Sequence, residues 1–208
     1  MTDDLSVPTG PESRGQNNNA APGSEEHNRA FGWIETYSGR RFWPLDPRAE
    51  DVDVVDIAHA LSLVCRFGGH PQQFYSVAQH CVIVSDCFDD VKMETHGLLH
   101  DAAEAYFSDI VRPVKRLIQG IDVIEQRIIE AIYGMAGIDP PTDEEYARIK
   151  EIDTRLLMAE RRDLMRDSGN DWGVRLEPLG FKITPWSWEK AKITYLDKYE
   201  NLMNRLGH

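Results

Sequence analysis

The stretch Ser76-Val77-Ala78-Gln79-His80-Cys81-Val82-Ile83-Val84 decides how the chain is read. Ser76 followed three residues later by Gln79 forms an S-x-x-Q capping box, and an apolar stripe comes directly after it. The pattern predicts a helix near 77–88. His80 has Val77 at i−3, Ile83 at i+3 and Val84 at i+4, which turns a polar imidazole toward the apolar face.

The helical pattern continues on both sides. A helix is expected near 54–66, with Asp51 and Asp53 at its positive end. Others follow over about 94–107, after Pro113, and over about 122–135, ending near Gly134 and Gly137. The longest is expected near 143–166, opening after Pro140-Pro141-Thr142, and the last runs from Thr184-Pro185 to Gly207. Residues 167–183 hold Gly169, Gly173, Pro178 and Gly180 and read as a loop. Ahead of the helices, Trp33–Tyr37, Ser38-Gly39 and Arg40–Trp43 read as a small hairpin that Pro44 and Pro47 end. Residues 1–29 contain no aromatic residue and only five apolar ones (Met1, Leu5, Val7, Ala20, Ala21), too few to repay ordering. The expectation is a disordered tail over 1–29 and a single, mainly α-helical domain with a short N-terminal β-hairpin over 30–208.

Composition narrows the function. Across 208 residues, 23 Lys and Arg stand against 35 Asp and Glu, a net charge of −12, which argues against a broad nucleic-acid surface. No apolar run approaches the roughly 20 residues that a bilayer span needs. Cys65, Cys81 and Cys87 form no CxxC pair, and the N-terminus lacks a basic segment followed by an apolar core. Reduced thiols in a cytoplasmic protein are expected.

One more polar residue shares the buried setting of His80. Asp153 has Ile149 at i−4, Leu156 at i+3 and Leu157 at i+4. A buried carboxylate needs a cation, hydrogen-bond donors or a metal, and Arg148, Lys150 and Arg155 are near in sequence. His100-Asp101 project about 100° apart on a helix, so one ion fits the angle between them, with Glu104 one turn further on its flank. His80, His100, Asp101 and Asp153 together offer two nitrogens and two oxygens, a donor set suited to Mn, Fe, Co, Ni or Zn. A competing reading pairs His96 with His100 as H-x-x-x-H, but the glutamate of zinc proteases is Gly97 here. His96 is then expected to pack against the site or line it. His59 reads as a hydrogen-bonded core histidine, and Trp186 and Trp188 as packing residues. Arg112, Lys115 and Arg116 form a basic cluster, either a solvated face or a phosphate contact.

These residues resemble a known family. H…HD…D is the signature of HD-domain phosphohydrolases. His100-Asp101-Ala102-Ala103-Glu104, with Asp109, Pro113 and Lys115 after it and Tyr75–His80 before it, resembles the deoxynucleotidase branch more narrowly. Phage dATP triphosphohydrolases are similar in compact size and motif order. The resemblance covers roughly residues 50–165 and implies an HD-domain helical bundle with His80, His100, Asp101 and Asp153 as ligands of one divalent transition metal. It further implies that Glu104 assists water activation or leaving-group protonation and that Asp109 lies on the sugar side of the pocket. Arg66 matches a phosphate-binding arginine, followed by Phe67 where the family more often has Trp. His70, on the loop near Arg66, is a further candidate substrate contact, as is Lys115.

The expected activity is cleavage of the 5′-phosphoester of 2′-deoxynucleotides, with Asp101 and Glu104 in catalytic roles. Monophosphates come first and triphosphates second. The partner is then a small-molecule nucleotide, without a stable nucleic-acid partner or a membrane, and the family resemblance suggests a homo-oligomer. Alarmone hydrolases carry H-D-x-x-E-D, where this chain has Ala105, and cyclic-dinucleotide phosphodiesterases carry a GYP segment that it lacks. The remaining alternative is a degenerate module that binds nucleotide without cleaving it.

Overall fold

A computed structural model describes Arg29 and residues 32–208, and over them the sequence builds a helical bundle behind a two-stranded hairpin. The expected disordered tail lies outside the described residues except for Arg29. That residue pairs through Nε with Asp46 Oδ2 at 2.9 Å and through Nη1 with Asp51 Oδ2 at 2.7 Å. The hairpin joins β1 (Ile34–Glu35) to β2 (Arg41–Phe42), antiparallel, with Ile34 opposite Phe42 and Glu35 opposite Arg41. Buried Asp56 fastens it by accepting from the Ser38 amide at 2.7 Å and the Ser38 hydroxyl at 2.8 Å.

The helices are α1 (Val54–Leu63), α2 (Val77–Asp86), α3 (Val91–Leu99), the single turns α4 (Glu104–Phe107) and α5 (Arg112–Lys115), α6 (Ile121–Ala136), α7 (Asp143–Leu164) and α8 (Trp188–Leu206). Most ends follow the expected chemistry. Asp53 caps α1 by accepting from the Val55 amide, Thr142 and Glu145 form a reciprocal capping box on α7, and Gly137 and Gly207 end α6 and α8 in the left-handed conformation.

Four boundaries differ from the sequence reading. α1 stops at Leu63 because the chain then pairs with the start of α2: Val77 N donates to Val64 O at 3.0 Å and Arg66 N to Tyr75 O at 2.9 Å. α2 ends at Asp86, and only half of its expected capping box forms. Ser76 Oγ accepts from the Gln79 amide, but the Gln79 side chain bridges to Thr184 O and Trp186 N instead. That bridge ties residues 184–186 to α2 outside any helix, and Pro185 disfavours the helical conformation at Thr184, so α8 starts at Trp188 under a Ser187 cap. The helix expected over 94–107 is interrupted after Leu99, and the interruption forms part of the site described below.

α2 and α3 pack closely, and α8 lies across α1, α2 and α3. Gly97 permits the close approach, since a Cβ there would stand 3.0 Å from Ser85 Cα and 3.1 Å from Ser85 N. The main core holds Ile57, Leu61, Leu98, Leu99, Ile132 and Leu202, all fully buried, at about 1.5–3 kcal/mol for each large side chain taken from water. A second core joins α7 to the far side of α2 through Val84, Ile149, Leu156 and Leu179. The polar cluster formed by residues of α2, α7 and the segment after α3 is held between these two cores.

Candidate metal centre

His80 projects from α2 into the interior and is fully buried. Its Nδ1 lies 2.7 Å from Glu160 Oε1 on α7. A carboxylate only accepts, so Nδ1 carries the proton and Nε2 offers a lone pair. His100 reaches the same state differently. Its Nδ1 donates to Gly97 O at 2.8 Å, which occupies the carbonyl that the Asp101 amide would use in a continuing α-helix. The ladder then shifts to three-residue steps, with Ala102 N on Leu99 O and Glu104 N on Asp101 O, both at 3.0 Å. This shift ends α3 and places His100 and Asp101 in a turn rather than within a helix.

The two Nε2 atoms lie 3.2 Å apart. His80 Nε2 is 3.3 Å from Asp153 Oδ1 and 3.6 Å from Asp101 Oδ2, and His100 Nε2 is 3.1 Å from Asp101 Oδ2. One donor atom from each of His80, His100, Asp101 and Asp153 falls within 4.8 Å of the others. Burial opposes charge on both aspartates, yet the neighbouring histidines hold them below the usual carboxylate range. Burial and Arg66 pull His80 down, but Glu160 and Asp153 outweigh them and leave it above the usual histidine value. Four electron-pair donors converging on one point fit a divalent cation, and mixed imidazole and carboxylate donors suit the transition metals named above.

Charged residues close the cluster's outer sides. Arg66 is buried in a 3-10 turn over Arg66–Gly69, with Nε 3.2 Å from Glu160 Oε2 and Nη1 3.5 Å from Asp101 Oδ2. That turn bends through Phe67 at φ 56°, and Asp109 Oδ2 stabilises the bend by accepting from the Phe67 amide at 3.0 Å. Asp153 Oδ2 meets Arg112 Nη2 at 3.1 Å and Lys150 Nζ at 3.5 Å, which leaves Oδ1 toward His80. Of the cations proposed for Asp153 from sequence, Lys150 serves. Arg155 Nε donates to Glu177 O and Arg148 stacks near Phe88. Glu104 is buried with Oε2 lacking a hydrogen-bond partner, and burial, then Asp101 and Asp109, push its carboxyl well above the usual range.

A cavity of about 800 Å³ opens on the cluster. Its walls carry His100 and Asp101, the cations Arg112, Lys115, Arg116 and Lys150, the carboxylates Asp122, Glu125 and Asp143, and the side chains of Tyr133, Pro140, Pro141 and Tyr146. Lys115 Nζ is paired with Glu125 Oε2 at 2.5 Å. Arg66, Phe67, His70 and Asp109 lie outside these walls. Phe67 sits 6.0 Å from the Trp172 ring, and His70 is exposed.

His96 is buried beside the site, with Nδ1 3.1 Å from the Tyr133 hydroxyl, and is not part of the four-residue cluster. His59 is half-buried rather than a core residue, because its ring stacks on Tyr37 at 3.7 Å near the surface. Trp186 packs against the main core, while Trp188 remains exposed with its ring 6.0 Å from that of His59.

The sequence reading missed Glu160, which grips His80 and Arg66 together. Its signal was available, since it lies seven residues after Asp153 on the same face of α7. It also missed the contact of Arg112 with Asp153, which lie 41 residues apart in sequence.

The chain is 35% identical over 174 residues to the uncharacterized protein YfdR of Escherichia coli, a match that covers 82% of this chain and 95% of that protein. It is 34% identical over 115 residues to an uncharacterized protein of Rhodobacter capsulatus, covering 51% of this chain and 59% of that one. No family model matches the chain.

Proposed function

The chain belongs to the family of Escherichia coli YfdR, and from the site it carries we propose a divalent-metal-dependent phosphohydrolase of the HD type that cleaves the 5′-phosphoester of 2′-deoxynucleotides. Monophosphates giving deoxynucleoside and orthophosphate are the preferred substrates. The observation that carries this reading is the convergence of His80, His100, Asp101 and Asp153 within 4.8 Å. A degenerate, purely binding module would be expected to have lost part of that set.

Held by those four residues, a divalent ion would offset the charge of the phosphate ester and lower the pKa of attacking water. The remaining work belongs to the chain. Arg66, Arg112 and Lys150 concentrate positive charge around the cluster, which suits the nonbridging oxygens of a phosphate. Arg66 also fixes Asp101 through its 3.5 Å contact. Burial, then Asp101 and Asp109, raise the Glu104 carboxyl well above its usual range and so favour its protonated form, and it serves as the donor to the leaving 5′-oxygen. Glu160 keeps His80 in the tautomer that leaves Nε2 bare.

A second reading, cleavage of deoxynucleoside triphosphates, draws on Arg112, Lys115 and Arg116 lining one cavity. The test is phosphate release from the deoxy- and ribonucleoside mono- and triphosphates with Mn, Co, Zn or EDTA, with products identified by chromatography. Orthophosphate from deoxynucleoside monophosphates, lost in Asp101→Ala, is expected. Tripolyphosphate would favour the second reading, and silence across all nucleotides and metals would overturn both.

A further inference from the structure

Tyr146, Lys150 and Asp153 lie at i, i+4 and i+7 on α7 and therefore share one face of that helix. At about 1.5 Å rise per residue, Tyr146 stands roughly 10 Å along the axis from Asp153. Asp153 contributes to the four-residue cluster, and Lys150 Nζ lies 3.5 Å from Asp153 Oδ2. The same ammonium is 5.7 Å from the centre of the Tyr146 ring, so the three form a continuous row. Tyr146 is 53% exposed, and that exposure faces a cavity. Pro140 and Pro141 line the cavity with it and add flat apolar surface.

An exposed tyrosine on a helix is usually a solvated surface residue. Here it is an aromatic member of a cavity wall that also carries Pro140, Pro141 and Asp143, and Lys150 on the same helix face stands between it and the four-residue cluster. That arrangement complements a ligand with an anionic head and a flat aromatic end. Phe67, which the family resemblance suggests as the aromatic next to the phosphate-binding arginine, turns toward Trp172 and Arg66 and lies outside this cavity. Resting on the phosphohydrolase reading above, we infer that Tyr146 is the platform for the nucleobase, with Lys150 holding the phosphate between it and the cluster. Tyr146 is then a specificity-determining residue, separating nucleotides from sugar phosphates of equal charge.

Calorimetric titration of the full chain tests this, with Mn and with EDTA. The probes are the four methylene phosphonate analogues of the deoxynucleoside 5′-monophosphates, which lack the cleavable bond, and the corresponding baseless deoxyribose phosphonate. Base stacking on an aromatic ring corresponds to about 5- to 150-fold in Kd. Tyr146→Ala is expected to weaken the nucleotide analogues by about tenfold or more and to leave the baseless probe unchanged. Tyr146→Phe, which keeps the ring, should bind as the parent does. The inference is overturned if Tyr146→Ala binds the nucleotide analogues normally, if both probe classes weaken together, or if the parent prefers neither class. Should the Tyr146 effect appear in a protein that releases no phosphate from any nucleotide, the hydrolase reading fails while the base platform stands.

Discussion

Replacing Glu160 by Gln removes one negative charge from the centre of the structure without changing the side chain's shape. Glu160 is fully buried and accepts from His80 Nδ1 at 2.7 Å and from Arg66 Nε at 3.2 Å. A glutamine has one acceptor oxygen, so it can satisfy only one of these donors and must turn its NH2 toward the other. A lost hydrogen bond to a charged group is about 1.5–3 kcal/mol, and an unsatisfied buried donor adds roughly 1–3 kcal/mol. Relief of burying the carboxylate offsets part of this, and Arg66 keeps its contact with Asp101, so we expect a net loss of about 3 kcal/mol. For a chain of this size that corresponds to a fall in Tm of roughly 6–12 °C. Thermal unfolding of parent and Glu160→Gln in EDTA, followed by circular dichroism, measures it. Manganese affinity should fall about 10- to 100-fold in the same variant, because His80 loses the partner that orients it. A Tm within about 2 °C of the parent, together with unchanged manganese affinity, would refute the role assigned to Glu160.

Gly97→Ala places a Cβ 3.0 Å from Ser85 Cα, so α2 and α3 must part. Overpacking of about 1–3 kcal/mol exceeds the gain of roughly 1 kcal/mol from replacing a helical glycine, and denaturant unfolding should show a net loss near 1 kcal/mol. Glu145 is held at about 2, below its ordinary 4.5, by Lys92 and then by the Thr142 amide of its capping box. A lowered carboxylate stabilises the fold above its unfolded value and loses that effect as pH falls through the folded one. The Tm difference between the parent and Glu145→Gln should therefore be full at neutral pH and shrink as pH drops from 4.5 toward 2. A difference that is constant with pH would contradict the ionised pairing.

Helix placement was legible because it rests on local signals. The Ser76 cap and the glycines at 137 and 207 each act within a few residues, as does the Thr142–Glu145 box, which the sequence reading did not name. His80 and Asp153 were legible for a similar reason, since a polar group at i among apolar i±3 and i±4 neighbours needs a partner in the core, whereas His100 and Asp101 were read from their adjacent projection on a helix and the H…HD…D resemblance. What was not legible depends on contacts across the chain. The stop of α1 comes from pairing with Tyr75–Val77, and the delayed start of α8 from a glutamine more than 100 residues away. The break after Leu99 is set by a side chain competing with the backbone for the Gly97 carbonyl, which a periodic pattern does not register. Phe67 and Asp109 were read as substrate contacts, and the structure shows the Asp109 carboxylate accepting from the Phe67 backbone amide.

The account depends on one cation held by His80, His100, Asp101 and Asp153. Crystals of the full chain soaked in manganese, with diffraction data collected at an energy where manganese scatters anomalously, test this most directly. The account requires one strong anomalous peak within about 2.0–2.3 Å of the four donor atoms, absent from crystals of Asp101→Ala. A parent crystal with no peak among those residues, or with its manganese bound elsewhere, would contradict it.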